Sequence, residues 1–440
     1  MQLPKRPPGI DALFARVAKD HPDRVAELLG SRSDPAPDGR YLHWDELRRR
    51  RPPDGLTLEE WWLRIKVARL TSMRELPFSD SAGKPFAYGI PDLVFEAIST
   101  TDREASGRLE IGGQVTNPST RDRYVVRSLM EEAITSSLLE GAAVTRVDAK
   151  KLLRSGRRPR DKGERMVVNN FRAMQQIRLW QGDPITPERV CELHEIVTEG
   201  TLEHGEPGQL RTSDDVTVKS RDDETVLHVP PPAAQLEARL ELACAFARGE
   251  VSETFVHPVV RAIVLHFILA YDHPFPDGNG RTARAAFYWS MLSQGYWLFE
   301  FLSISRILAA APAQYARAFL HTETDGNDVT YFLDHQLGVI RQAVRDLHAY
   351  LEAKVRTVRG AERRLRELPG LNHRQIALLG HALRHPDAEY TIQAHRTSHG
   401  VVYQTARTDL LDLVDRGLLD KSRRGRSFIL RPVADLGERF

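Results

Sequence analysis

Cysteine is scarce in this chain: Cys191 and Cys244 are the only two among 440 residues, and neither stands in a C-x-x-C spacing. A disulfide framework and a thiolate metal site are thereby excluded, a reducing compartment fits best, and the cytoplasm is the expected location. Long apolar runs are lacking too. None approaches the roughly 18 residues of a membrane span, so no membrane partner is expected. The stretch from Met1 to Val25 mixes charge and proline where a secretory signal would need its apolar segment. Charge of one sign is also missing: a net charge of +2 with a pI near 8.5 excludes nucleic-acid binding by the chain as a whole and leaves only local arguments.

What is present is the composition of a globular protein, 28% charged and 41% hydrophobic, which rules out a disordered or fibrous chain. At about 100 to 200 residues per domain the length suggests two or three domains, and three are expected. Residues 1–90 carry proline and glycine clusters such as Arg51-Pro52-Pro53-Asp54-Gly55 between short amphipathic stretches such as Leu58 to Leu70. They read as a helical N-terminal extension without evident chemistry. Residues 91–355 read as a helical core. Its first helix lies near 124–141, where Tyr124, Val125, Leu129, Ala133 and Leu138 recur at helical period until Gly141. Glu164 to Trp180 and the stretch after Pro187 continue the pattern.

Between Gln209 and Pro232 the period changes. Val216, Thr217 and Val218, then Val226, His228 and Val229, flank a polar stretch from Lys219 to Glu224 and read as a short β-hairpin. From Val256 the spacings of Val259, Val260, Ile263, Val264, Phe267 and Tyr271 mark a helix starting at Pro258 and ending at His273-Pro274. Another follows from about Gly280 to Gln294, closed by Gly295. The segment 361–440 holds 14 basic against 10 acidic residues, with three candidate helices and a final hairpin, the pattern of a winged helix-turn-helix. No internal repeat or low-complexity tract is present.

The chemistry concentrates in the loop trapped between two buried helices, His273-Pro-Phe-Pro-Asp277-Gly278-Asn279-Gly280-Arg281-Thr-Ala-Arg284. Gly278 and Gly280 let backbone N–H groups approach an anion at a helix N-terminus. Arg281 and Arg284 share a helix face and can clamp further phosphate oxygens. Asp277 offers a hard oxygen ligand for Mg²⁺, and His273 is suited to take a proton from a hydroxyl at neutral pH. Gly278-x-Gly280-x-x-Ala283, with Glu300 beyond, also matches a dinucleotide fingerprint. That turn requires a preceding strand, and a helical segment stands there instead.

These twelve residues resemble the Fic signature H-x-F-x-[DE]-G-N-G-R-x-x-R at every fixed position. The resemblance implies a mainly α Fic fold with a β-hairpin flap, and a protein adenylyltransferase that moves AMP from ATP to a Ser, Thr or Tyr hydroxyl. His273 would be the general base and Asp277 the Mg²⁺ ligand. Asn279, with the backbone at Gly278 and Gly280, would hold the α- and β-phosphates, Arg281 would meet the β-phosphate and Arg284 the γ-phosphate. Tyr315 stands where the family places a tyrosine near adenine, although here it is preceded by Gln314 and not by a second tyrosine. The flap, Val216 to Val218 and Val226 to Val229, would align the target chain by strand addition.

Ser136-Ser-Leu-Leu-Glu140-Gly141 resembles the family's inhibitory motif [ST]-x-x-x-E-[GN], in which Glu140 would pair with Arg284 and displace the γ-phosphate. Ser137-x-x-Glu140 also fits a capping box at a helix start. His194, His257 and His266, on or near apolar helices, read as packed core residues. The partners so implied are ATP, a protein hydroxyl that includes the chain's own, DNA through the C-terminal segment, and a second copy of the chain. Sister chemistries on the same fold remain open: removal of AMP, or transfer of UMP, phosphate or phosphocholine. So does a DNA-binding regulator that senses nucleotide.

Overall fold

A computed structural model describes residues 3–20, 22, 24–25, 33–106, 118–220, 224–251, 254–424 and 427–439. The chain divides into two compact units, Met1–Arg108 with Arg127–Val344, and Leu109–Val126 with Arg345–Phe440. Residues 1–90 share a unit with the central helices. No helix among the described residues is long and apolar enough to cross a membrane.

At the centre of the first unit lie the helices Pro258–Asp272 and Asn279–Ser293, which pack on each other. Pro258 occupies the first helical position and His257 accepts the Val259 N–H, so the N-terminus is both pre-shaped and capped. Almost every side chain of both helices is buried. A helix buried on all faces must be surrounded by others. Pro187–Thr198 and Lys162–Leu179 pack against Asn279–Ser293, and Leu236–Arg248 packs against Pro258–Asp272.

The N-terminal segment contains a helix at Leu58–Leu70, closed at its start by a capping box between Thr57 and Glu60. It also contains an antiparallel pair that the sequence reading missed, Arg74–Ser79 with Pro85–Tyr88. Buried polar contacts tie this segment to residues far along the chain. Lys66 Nζ lies 2.9 Å from Asp325, Tyr41 donates to Asp328 at 2.7 Å, and Arg69 donates to Tyr331 at 2.8 Å. Such pairs hold only where the partner charge is in place, because either group buried alone is strongly penalised.

The helix Pro118–Leu139 is pinned to the core at Glu132. This fully buried carboxylate accepts from Tyr288 Oη at 2.9 Å, Ser303 Oγ at 3.0 Å and the Ser305 N–H at 3.0 Å. Burial raises its pKa against those bonds. Beyond the helix, Gly141 turns the chain at φ +88°. The exit then runs tightly over Gly163, where an added Cβ would lie 2.9 Å from Ala143 N.

The second unit holds helices His373–Arg384, Ile392–His399 and Tyr403–Asp415, followed by the antiparallel pair Leu419–Arg424 and Ser427–Pro432. Leu378, Leu379, Leu410, Leu413 and Leu430 form its core, and Tyr390 bridges to Leu430. Gly425 and Arg426, at the tip read as a wing, lie outside the described residues.

Candidate functional site

The helix Pro258–Asp272 stops because His273 adopts left-handed backbone angles, φ 44° and ψ 56°. Its Nδ1 faces the Ala270 carbonyl at 2.8 Å. A carbonyl only accepts, so the ring proton sits on Nδ1 and Nε2 carries the lone pair. Burial lowers the pKa from its ordinary value, with the Ala270 bond opposing. A neutral imidazole with one fixed, unprotonated nitrogen is the form a general base requires.

Past the prolines the turn closes on itself. Asn279 Oδ1 accepts the Phe275 N–H at 2.9 Å and Nδ2 donates to the Phe275 carbonyl at 2.7 Å. The Asn279 side chain thus braces the loop with its Oδ1 and one Nδ2–H, and a second Nδ2–H and the backbone N–H remain to it. Gly278 sits at φ +81°, and a Cβ there would come within 2.5 Å of Thr198 Cγ2. Asp277, exposed, takes the Gly278 N–H on Oδ1 at 2.6 Å. The first bond of the next helix runs from Thr282 N–H to Gly278. The N–H groups of Asn279, Gly280 and Arg281 therefore precede the ladder and point out of the helix start, an anion cradle.

Two buried arginines stand behind this cradle. Arg281 donates to the Val197 carbonyl at 2.7 Å, its Nε makes no hydrogen bond within the protein, and burial lowers its pKa. Arg284 donates from Nε to Ser136 Oγ at 3.0 Å and from Nη2 to the Ser136 carbonyl at 3.1 Å. Glu140 Oε1 lies 2.9 Å from Arg284 Nη1. Burial works against the Arg284 charge, but Glu140, Tyr315 and Glu132 together outweigh it and the pKa is raised. A Cβ built on Gly280 would collide with Glu140 Oε1, so the carboxylate sits over the helix start itself. Glu140 follows the end of Pro118–Leu139 and Ser137 Oγ donates back to Ala133, so the capping box does not exist here.

The Tyr315 hydroxyl lies 2.8 Å from His266 Nε2, and burial raises its pKa to about 12 with the positive charge of Arg284 opposing. His266, buried near the positive Arg284, is pushed down to about 3 and stays neutral.

The hairpin is shorter than expected: Val218–Lys219 pairs with Val226–His228, with a shifted register between Val218 and Lys219. Val216 and Thr217 precede the strand, Val229 follows it, and residues 221–223 lie outside the described residues. Val226 and Val229 are exposed, whereas the His228 side chain turns inward, with Nε2 2.7 Å from the Tyr271 carbonyl and Nδ1 2.9 Å from Glu323. His228 anchors the flap beside His273 and does not face a docking chain.

Two residues that matter were not read from the sequence as functional. Arg211, buried, donates to the carbonyls of His273 at 2.9 Å and Ser213 at 2.8 Å, and its own N–H bonds the Pro274 carbonyl at 2.9 Å. His194, read as a packed core histidine, is wholly buried yet has both ring nitrogens engaged, with Gly208 and with Asp277.

Comparison with known proteins accords with this geometry. Residues 184–291 match the Fic/DOC family. Over 104 residues the chain is 33% identical to the "Protein adenylyltransferase Fic" of Nematostella vectensis, covering 24% of this chain and 22% of that protein. Over 112 residues it is 33% identical to the protein of the same name from Drosophila melanogaster, covering 26% and 21%. The matched region thus spans about a fifth of the length of these relatives. A Fic family protein from Desulfovibrio desulfuricans G20 superposes with a TM-score of 0.50 at 20% identity, covering 77% of this chain and 96% of that one. This likeness supports the mainly helical Fic fold.

Proposed function

We propose that the chain, whose residues 184–291 match the Fic/DOC family, transfers AMP from ATP to a Ser, Thr or Tyr hydroxyl of a protein, and that Glu140 holds it inactive. The observation that carries this reading is the pairing of a fixed imidazole base with an anion cradle one short loop away. His273 Nε2 takes the proton of the incoming hydroxyl, whose oxygen attacks the α-phosphate as pyrophosphate departs. Positioning and charge stabilisation do most of such work.

The backbone N–H groups at the start of Asn279–Ser293 receive phosphate oxygens, and Arg281 adds a buried positive charge behind them. Arg284, once released from Glu140, is the group for the γ-phosphate. Asp277 fits a Mg²⁺ ligand: it is an exposed carboxylate beside the cradle, and Glu140, the other carboxylate there, is paired with Arg284. Among the described residues no group of three or more His, Cys, Asp or Glu could hold a metal alone. Mg²⁺ bound by one carboxylate plus substrate phosphates needs no such cage, and it would neutralise phosphate charge. The exposed edge at Val226 and Val229 supports strand addition by the target.

The test is to incubate the Glu140→Gly chain with ATP labelled at the α-phosphate and Mg²⁺, alone and with cell lysate, beside the same chain carrying His273→Ala. Label on protein that depends on His273 supports the reading. Label from γ-labelled ATP or from UTP instead would replace it with a sister chemistry.

A further inference from the structure

The proposed base, ligand and cradle all lie on a loop of few residues, and something must hold that loop against motion. His194 meets it from the helix Pro187–Thr198. Its Nδ1 accepts the Gly208 N–H at 2.9 Å, which leaves the ring proton on Nε2. Nε2 lies 2.9 Å from the Asp277 carbonyl, which can only accept, so the two bonds fix one tautomer between them. The ring stacks flat on Phe275, centroids 3.8 Å apart and planes 3° apart.

The Asp277–Gly278 peptide is thereby gripped at both ends. His194 holds its carbonyl, and the Asp277 carboxylate itself takes its N–H. The orientation of that carboxylate is tied to the orientation of the peptide. On the other side of the ring, Gly208 belongs to a segment that clamps the loop at further points: Gly205 packs on Pro276, and Arg211 holds the His273 carbonyl.

We infer that His194 is a positioning residue: through its Nε2–H it sets the Asp277–Gly278 peptide, and with it the direction of the carboxylate that would meet Mg²⁺. The inference rests on the function proposed above but makes a claim of its own. A histidine present only to fill space would be indifferent to which ring nitrogen bonds which partner.

Two variants separate the bonds. The amide of asparagine falls near ring Nδ1 and that of glutamine near ring Nε2, so His194→Asn keeps the Gly208 bond and His194→Gln keeps the Asp277 bond. In the Glu140→Gly background, His194→Asn should raise the Mg²⁺ concentration for half-maximal AMP transfer about tenfold, as loss of one hydrogen bond of about 1.4 kcal/mol would. His194→Gln should restore most of it. Without nucleotide, the Gly278 amide should exchange with solvent about tenfold faster in the asparagine variant than in the glutamine variant. Equal Gly278 exchange in the two variants overturns the inference whether or not the chain transfers AMP. Absence of transfer by the Glu140→Gly chain itself, with unequal exchange, overturns the proposed function and leaves the positioning role standing.

Discussion

Glu140 Oε1 stands 2.9 Å from Arg284 Nη1, joining a partly exposed carboxylate to a guanidinium that is 1% exposed. The asymmetry sets which partner can leave. Arg284 is held by Ser136 and by its own helix, while Glu140 lies between a helix end and the glycine turn at Gly141.

Glu140→Gly should therefore free the arginine and speed AMP self-labelling at least about tenfold over wild type, equivalent to about 1.4 kcal/mol of barrier. Glu140→Gln removes the charge but keeps the bulk, and should release only part. Arg284→Ala should stay inactive, because the same group serves ATP. Equal labelling by wild type and Glu140→Gly would reduce Ser136 to Gly141 to a helix end.

His273→Ala should abolish transfer and leave ATP affinity unchanged within about twofold, since the base acts on the incoming hydroxyl. Burial lowers the His273 pKa, so the neutral form persists to more acidic solution than for a free imidazole. The acid limb of kcat/KM should accordingly fall below pH 6.5, the ordinary value. A limb at or above 6.5 would reject this assignment.

Asp277→Ala should lose Mg²⁺-dependent ATP binding in the Glu140→Gly background. Calorimetry with and without Mg²⁺ is the check, and unchanged Mg²⁺ dependence would remove Asp277 from the ligand role.

Stability should decline on mild acidification, before the carboxylates titrate. Burial holds His43, His266 and His321 near 3 and His194 near 4. The unfolded chain takes up protons on these rings below about pH 6.5 and the folded chain does not, so unfolding is favoured as pH falls. Each ring costs up to about 1.4 kcal/mol per pH unit from 6.5 down to its folded value. Melting temperatures should drop between pH 6.5 and 5, and a flat profile over that interval would contradict the buried neutral rings.

Local chemistry was legible and distant pairing was not. His273 to Arg284 carries base, carboxylate, glycines and arginines in one short run, and the apolar spacing from Val259 to Tyr271 marks the helix that presents it. The pair Arg74–Ser79 and Pro85–Tyr88 escaped because Pro77 interrupts its alternation and its outer edge bridges at Ala87 to Asp328, far along the chain. His194 looked like core because its two partners come from elsewhere in the sequence. Arg211 left one trace: Gly205 and Gly208, both at positive φ, mark a tight segment just before it. The side chains of Asn279 and Tyr315 also bond within the protein, to Phe275 and to His266, and those partners are not marked by any pattern in the sequence.

If Glu140 holds the chain inactive as proposed, Gly163 gives that off state a second determinant, one of volume and not of charge. Its missing side chain is what lets the backbone at Ala143 lie where it does, three residues past Glu140. A single-base change of this codon to alanine would drive a methyl into that backbone and push the exit of the inhibitory segment outward. Under the proposed mechanism Gly163→Ala should raise basal self-labelling and add nothing to Glu140→Gly. Selection for silence would then fall on a position that touches neither nucleotide nor target, and a lineage could relax its own restraint without altering any group on which the reaction depends.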